Sequence, residues 1–303
     1  MTANTGVLKR QSVVFIVNPI SGKGLGRQLA SDLPPLLNSK LFDVAVKISE
    51  SKGHARALAQ GAVEESADII VAVGGDGTIN EIAFALVNSP TTLCIIPCGS
   101  GNGIARHLGI PLTPSKALEL IGKGQYSKID AMEFDDKFCL GIAGIGFDAV
   151  VGKKFDESSR RGFRSYVQIV LNEIRLFKPI AVSIDTDDMH IKEDVMLTCI
   201  ANGSQFGNNA IIAPTASMKN GQLVICVVKK MPVYLLPGFV YALFTGKLQN
   251  SKYVHYYSTD NEIHIHQSAT WAHVDGEPVE VGHDIKVSLL HQAITMLHPH
   301  GEI

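Results

Sequence analysis

Val71 to Glu81 read VAVGGDGTINE: an apolar run gives way to two glycines, an aspartate, a third glycine and then a helix-forming stretch. Successive N–H groups in a turn without side chains form an anion-binding nest, and a helix that starts there adds the partial positive charge of its amino terminus. Phosphate is the natural guest. A carboxylate set in such a nest repels phosphate unless a divalent cation lies between them, so Asp76 points to Mg2+ or to a contact with a bound nucleotide. Thr78 and Asn80 supply further hydrogen bonds. The plainer alternative, a tight strand-to-helix turn capped by the aspartate, requires neither three glycines nor their bunching.

Two other turns share this character. PCGSGNG, Pro97 to Gly103, follows the next apolar run and sets Ser100 and Asn102 as polar donors among glycines that begin at Gly99. NPISGKG ends the first apolar run, where Asn18, Ser21, Gly22 and Lys23 are candidates for holding phosphate or ribose. The GxxxxGK[ST] spacing of the P-loop is missing, and GKGLG is not a dinucleotide fingerprint.

The elements around these turns are legible from periodicity. Through about residue 122, SVVFIVN, FDVAVKI, ADIIVAV and TTLCIIP alternate with helical stretches over 23–38, 53–65 and 78–87. Continuous apolar strands joined by amphipathic helices call for a parallel sheet covered on both faces, with ligands at the carboxyl ends of its strands. After that the texture changes to IAVSID, DVMLTCIANG, GQLVICVVKK, NEIHIHQ and TWAHVDGEPVEV, spaced by Asn, Gly and Asp turns and interrupted by a helical insert over 163–177. The expectation is an α/β nucleotide-binding domain over 1–125, completed by 291–303, and a mostly antiparallel β domain over 126–290.

Bulk properties narrow the partners. A chain of 303 residues, 46% of them apolar, has material for two cores. A formal charge of −2 gives no ground for nucleic-acid binding. The five cysteines are scattered and make no CxxC pair, as in reduced cytoplasmic proteins. The amino terminus lacks the apolar core of a signal peptide, and no run reaches the roughly 18 to 20 apolar residues needed to span a bilayer. A cytoplasmic protein, at most resting on a membrane surface, is expected. VYLLPGFVYALF, between Lys230 and Lys247, reads first as a buried helix broken at Pro237. Its alternative is an interfacial segment whose lysines, with the Arg160, Arg161 and Arg164 cluster, meet anionic headgroups. His264 and His266 share a strand face but lack a third ligand at recognisable spacing, and an exposed β edge leaves homodimerisation open.

VNPISGKG, GGDGTINE and PCGSGNGIARHLGIP, in this order and at these distances, resemble the diacylglycerol kinase catalytic family, which includes soluble bacterial diacylglycerol kinases, related lipid kinases, sphingosine kinases and ceramide kinases. The resemblance spans nearly the whole chain, ending in DGE at Asp275 to Glu277. It implies a diacylglycerol kinase or NAD kinase-like α/β domain and a β-sandwich lipid-substrate domain with ATP between them. It further implies Mg2+ and transfer of the γ-phosphate to a lipid hydroxyl.

Carried over by position, Ser49 touches the nucleotide, Gly74, Gly75, Asp76, Gly77, Thr78, Ile79 and Asn80 cradle its phosphates, and Ser100 contacts it as well. The carboxylates of Asp275 and Glu277 activate the acceptor, since an alcohol attacking phosphorus sheds its proton to a positioned base; alone, Asp-Gly is a common hairpin turn. In PTASMKNGQL, Ser217, Asn220 and Gln222 are the equivalents of a structural Mg2+ site, but Lys219 and Asn220 stand where many bacterial members have an acidic pair. A neutral amide beside an ammonium is a poorer hard-cation ligand. The rivals are NAD kinase, whose Thr-Gly-Ser-Thr-Ala-Tyr segment is missing here, and a nucleotide or lipid sensor without turnover.

Overall fold

This computed structural model describes residues 10–157, 168–169, 172–174 and 176–300. The Arg160–Arg164 cluster and most of the helical insert expected over 163–177 lie outside the described residues. The chain divides into two compact units, 1–99 with 109–127 and 294–301, and 100–108 with 128–293 and 302–303.

In the first unit, β1 (Gln11–Val17), β2 (Phe42–Ile48), β3 (Ile69–Gly74) and β4 (Thr92–Pro97) form a sheet in the order β2-β1-β3-β4. Every pairing is parallel, and the end of the last strand, β15 (Asp284–His298), extends the sheet beside β4 through Thr295 and Met296. β3 and β4 are buried along their whole length, which is why they read as unbroken apolar runs rather than as alternation. Helices α1 (Leu25–Asp32), α2 (His54–Glu64) and α3 (Asp76–Ala85) are the crossovers. Register does the positioning: Val17 lies opposite Val73, and Val73 opposite Ile96, so β1, β3 and β4 end side by side and their turns emerge together.

The second unit is antiparallel throughout. Its strands are most of β5 (Gln125–Phe134), then β6 (Lys137–Cys139), β7 (Ile142–Gly146), β8 (Ile180–Asp185), β9 (His190–Ala201), β10 (Leu223–Lys229), β11 (Val254–Thr259), β12 (Ile263–Gln267), β13 (Trp271–Val274) and β14 (Glu277–Glu280), and the start of β15. The order is β14-β13-β7-β9-β8-β12-β15, with β10 on the other edge of β9 and β11 beyond it. One long strand organises this. β9 pairs β8 through 190–195 and β7 through 197–201 along one edge, and β10 along the other.

Alternate residues of β10 enter two different cores: Leu223, Ile225 and Val227 pack with Ile200 and Ile265, and Val224, Cys226 and Val228 pack with Phe147 and Val151. Both faces are covered, so β10 too reads as continuous LVICVV. Helices α4 (Gly103–His107) and α7 (Phe147–Glu157) belong to this unit, and the short α5 (Pro114–Leu118) and α6 (Leu120–Lys123) to the first.

The apolar segment near Pro237 departs from the buried, broken helix expected first. It forms α8 (Leu236–Thr245) without a buried residue. Pro237 sits in the first turn, where its missing N–H has no intrahelical acceptor to lose, so it starts the helix instead of breaking it. Gly246, at φ +66, ends it, and the Lys247 N–H returns to the Ala242 carbonyl at 2.8 Å. Among the described residues no helix is long and apolar enough to cross a membrane.

Candidate functional site

Three turns meet in the first unit. After β1 the Asn18 N–H bonds the Val73 carbonyl at 3.0 Å, and its side-chain Nδ2 donates to Thr78 Oγ1 at 3.0 Å, tying the first turn to α3. Asn18 Oδ1 accepts the Ile20 N–H at 3.2 Å, an Asx turn that aims the chain toward Ser21. Gly22, at φ +62, comes so close to the third turn that a Cβ there would lie 2.5 Å from the Cys98 carbonyl oxygen. The second and third turns touch as well, since a Cβ on Gly75 would lie 3.3 Å from Gly99 Cα. What meets here is main chain against main chain, and any side chain would fill the gap. The Ser21 hydroxyl reaches the Cys98 thiol, whose pKa burial pushes up to about 11 against the opposing pull of that hydrogen bond.

Gly75 is the extended N-cap of α3, and Asp76 is the first helical residue, half-buried at the positive end of the helix. Thr78 and Ile79 turn into the protein. Ser49, buried at the end of β2, bonds the Val17 carbonyl through its N–H at 2.9 Å and its hydroxyl at 3.3 Å, beside the first turn. Glu81 takes a part that the sequence did not signal: its carboxylate accepts the Gly53 N–H at 2.8 Å and links α3 to the start of α2. His54 Nδ1 accepts the Glu50 N–H at 3.1 Å and closes the turn into α2. The structure thus brings Asn18, Ser21, Gly22, Ser49, Gly74 through Asn80, and Gly99 into one region. Ser100 and Asn102 belong to the second unit; there Asn102 is buried, left-handed at φ +51, and starts α4.

The DGE residues of the second unit form a hairpin turn between β13 and β14, with Asp275 at φ +48 and Gly276 at φ +83. The Asp275 carboxylate reaches back to the chain before β7. Its Oδ2 accepts the Leu140 N–H at 2.8 Å, and its Oδ1 accepts those of Gly141 at 2.8 Å and Ile142 at 3.0 Å. The Cys139 thiol also points at it, and burial, followed by this carboxylate, raises that thiol well above its ordinary range. Behind this chain lies Asn202, fully buried, whose Nδ2 donates to the Asp130 and Leu140 carbonyls at 2.8 and 2.7 Å. Asn202 was visible only as a turn residue in CIANG. Two residues upstream of Asp275, buried His273 meets Asp148 on α7 at 2.9 Å.

The loop carrying Ser217, Asn220 and Gln222 does not fit a structural cation. Asn220 Oδ1 accepts the Gln222 N–H at 3.1 Å and Ser217 Oγ the Lys219 N–H at 3.3 Å. The nearby carboxylate, Asp130, is wholly buried and engaged: it accepts the Gly221 and Gln292 N–H groups at 2.9 and 2.7 Å and lies 2.8 Å from His291 Nδ1. Among the described residues no group of three or more acidic, His or Cys side chains is placed to hold a metal.

A parallel sheet with bare glycine turns at its strand ends, followed by an antiparallel sandwich, defines a two-part α/β and β class of protein whose ligands are expected at those strand ends. The sequence matches the diacylglycerol kinase catalytic domain over residues 12–134 and the YegS C-terminal NAD kinase beta sandwich-like domain over 141–298, and the chain belongs to this family of kinases. It is 28% identical over 290 residues to "Probable lipid kinase YegS-like" of Enterobacter sp. (strain 638), covering 92% of this chain and 94% of that protein. A Citrobacter koseri protein of the same name is 29% identical over 283 residues, covering 91% and 93%.

Solved structures agree. A Bacillus anthracis str. Sterne chain has 26% identity and a TM-score of 0.78, covering 96% of this chain and 98% of that one. An NAD kinase from Archaeoglobus fulgidus, solved with ATP, has 14% identity and a TM-score of 0.52, covering 96% and 94%, a likeness of fold.

Proposed function

We propose that this protein is an ATP-dependent lipid kinase that uses Mg2+ to transfer the γ-phosphate of ATP to the hydroxyl of diacylglycerol or a related lipid. The observation that carries the reading is the convergence of three main-chain turns at the ends of β1, β3 and β4, where Gly22 faces Cys98 and Gly75 faces Gly99. That cradle suits an anion with several oxygens, since the first turn of any helix presents N–H groups without intrahelical acceptors. The names of the curated relatives support the lipid acceptor.

In this reading the main chain of Gly74 to Asn80, with Asn18, Ser21, Gly22, Ser49, Gly99, Ser100 and Asn102, binds and orients the nucleotide. Asp76 would hold the Mg2+, a hard cation suited to one carboxylate and phosphate oxygens, which when bound neutralises charge on the transferred group. Asp275 and Glu277 serve the acceptor: one orients the hydroxyl and the other takes its proton. Asp275 is fixed by three amides, which supports a reading in which it orients and Glu277 takes the proton.

The test is transfer of label from γ-labelled ATP to a panel of diacylglycerol, monoacylglycerol, phosphatidylglycerol, sphingosine and ceramide. One lipid becomes phosphorylated, and Asp76→Ala lowers the rate by at least about a thousandfold while the chain stays folded. Label on NAD, or on none of the lipids, sinks the proposal.

A further inference from the structure

α8 is apolar on both sides. Phe239, Ala242 and Leu243, at helical spacing, pack inward on the core beneath β10. Facing away, Tyr234 is 80% exposed, Tyr241 64%, Val233 51% and Val240 45%. Single exposed apolar residues are ordinary, but four of them on one short helical segment form a patch that marks an interaction surface.

The charge along this segment is one-sided. From Lys229 to Lys252 the sequence holds four lysines and no aspartate or glutamate. Lys229 is paired to Glu193 at 2.7 Å, whereas Lys230, Lys247 and Lys252 have no acidic partner among the described residues. Lys247 and Lys252 also line a groove of about 400 Å³ with Leu235, Phe239, Ala242 and Tyr253. Apolar floor, cationic rim and tyrosines between them are the features of an element that lies in the headgroup region of an anionic bilayer. At ten residues the helix is too short to span one.

We propose that α8 with the turn before it is the membrane-docking element of this protein, seating Tyr234 and Tyr241 at the acyl boundary while Lys230, Lys247 and Lys252 meet anionic headgroups. The inference goes beyond phosphotransfer and stands without it. The full-length chain is sedimented with vesicles of phosphatidylcholine alone or of phosphatidylcholine and phosphatidylglycerol in a three-to-one mixture, at about 0.1 M salt.

Binding to the anionic vesicles alone is the expected result, falling about fivefold for each of Lys247→Gln and Lys252→Gln and at least about tenfold for the doubly substituted Tyr234→Ser, Tyr241→Ser chain. All these positions are exposed, so unchanged unfolding curves show that the variants keep the fold. Equal sedimentation of parent and variants overturns the proposal, as does failure of the parent to bind. A parent dimer that the tyrosine substitutions dissolve, without vesicle binding, overturns it in favour of a second copy of this chain. None of these readouts uses ATP, so a failed kinase assay and a failed docking assay are told apart.

Discussion

Two regions of this protein build their turns from closely packed main chain, and they use it differently. In the first unit the turns after β1, β3 and β4 keep side chains out of the space where Gly22 approaches Cys98 and Gly75 approaches Gly99. In the second unit the amides of Leu140, Gly141 and Ile142 are turned on the protein's own Asp275. In one, glycines let main chain approach main chain; in the other, amides fix a carboxylate. Removing Asp76 should cost chemistry and little stability, and removing Asp275 should cost both.

The largest effect is expected of Asp275→Ala. It leaves three amides without their acceptor, and loss of charged hydrogen bonds at a partly buried site costs about 3–5 kcal/mol. Urea unfolding of this variant beside Asp76→Ala, expected within about 1 kcal/mol of the parent, measures the contrast. Equal losses in the two variants would remove the distinction. Asn202→Ala comes next, at about 2–3 kcal/mol, because the Asp130 and Leu140 carbonyls lose a buried donor. Since Asn202 and Asp275 both hold the 140–141 chain, the double variant should lose less than the sum by over about 0.5 kcal/mol. Strict additivity would show that the two act separately.

Which half was legible follows from the same contrast. Turns that pack main chain on main chain need glycine, and glycine is written in the sequence: GGDGT, PCGSGN and NPISGKG marked the turns, and unbroken apolar strands marked the parallel sheet that carries them. Of the donors to Asp275 only Gly141 is a glycine that the approach requires, its Cβ falling 2.8 Å from Asp275 Oδ1, and it sits singly in an apolar run. The partners of Asp275 lie 133 to 135 positions away, so DGE alone showed a hairpin and nothing of what grips its carboxylate. Asn202, Asp130 and Glu81 were hidden for the same reason, each bonding main chain that only the fold brings near. α8 misled differently: an apolar ten-residue run has the same texture buried or exposed, and only packing distinguishes them.

Gly22→Ala probes the first turn. Its Cβ would press to 2.5 Å on the Cys98 carbonyl at a left-handed φ of +62, so the chain must shift. Gly24→Ala, left-handed at φ +94 but with nothing within 4 Å, controls for backbone strain alone. Gly24→Ala is expected to cost about 1–2 kcal/mol of stability, and Gly22→Ala more, by the clash. Only Gly22→Ala should also weaken ATP binding by more than about tenfold by calorimetry, as expected of a displaced contact in the cradle. Equal affinities would mean that the first turn does not touch the nucleotide.

The smallest effect concerns His107 in α4, behind the part of the third turn that belongs to the second unit. Its Nδ1 accepts the Ser204 N–H at 3.1 Å, and burial lowers its pKa to about 4. The unfolded chain takes up this proton near pH 6.5 and the folded chain only near pH 4, so the unfolded state binds more protons between them. The contribution is complete above pH 6.5 and is lost as pH falls toward 4. Unfolding curves at pH 7 and 4.5 should show a drop smaller by about 1–2 kcal/mol in His107→Gln than in the parent. Gln keeps an acceptor for Ser204 and carries no titrating proton, so the difference isolates the ring. Equal drops would mean that protonation of His107 is compensated in the folded state, and that α4 is held by other bonds, such as that from Arg106 Nη1 to Asn209 Oδ1 at 2.9 Å.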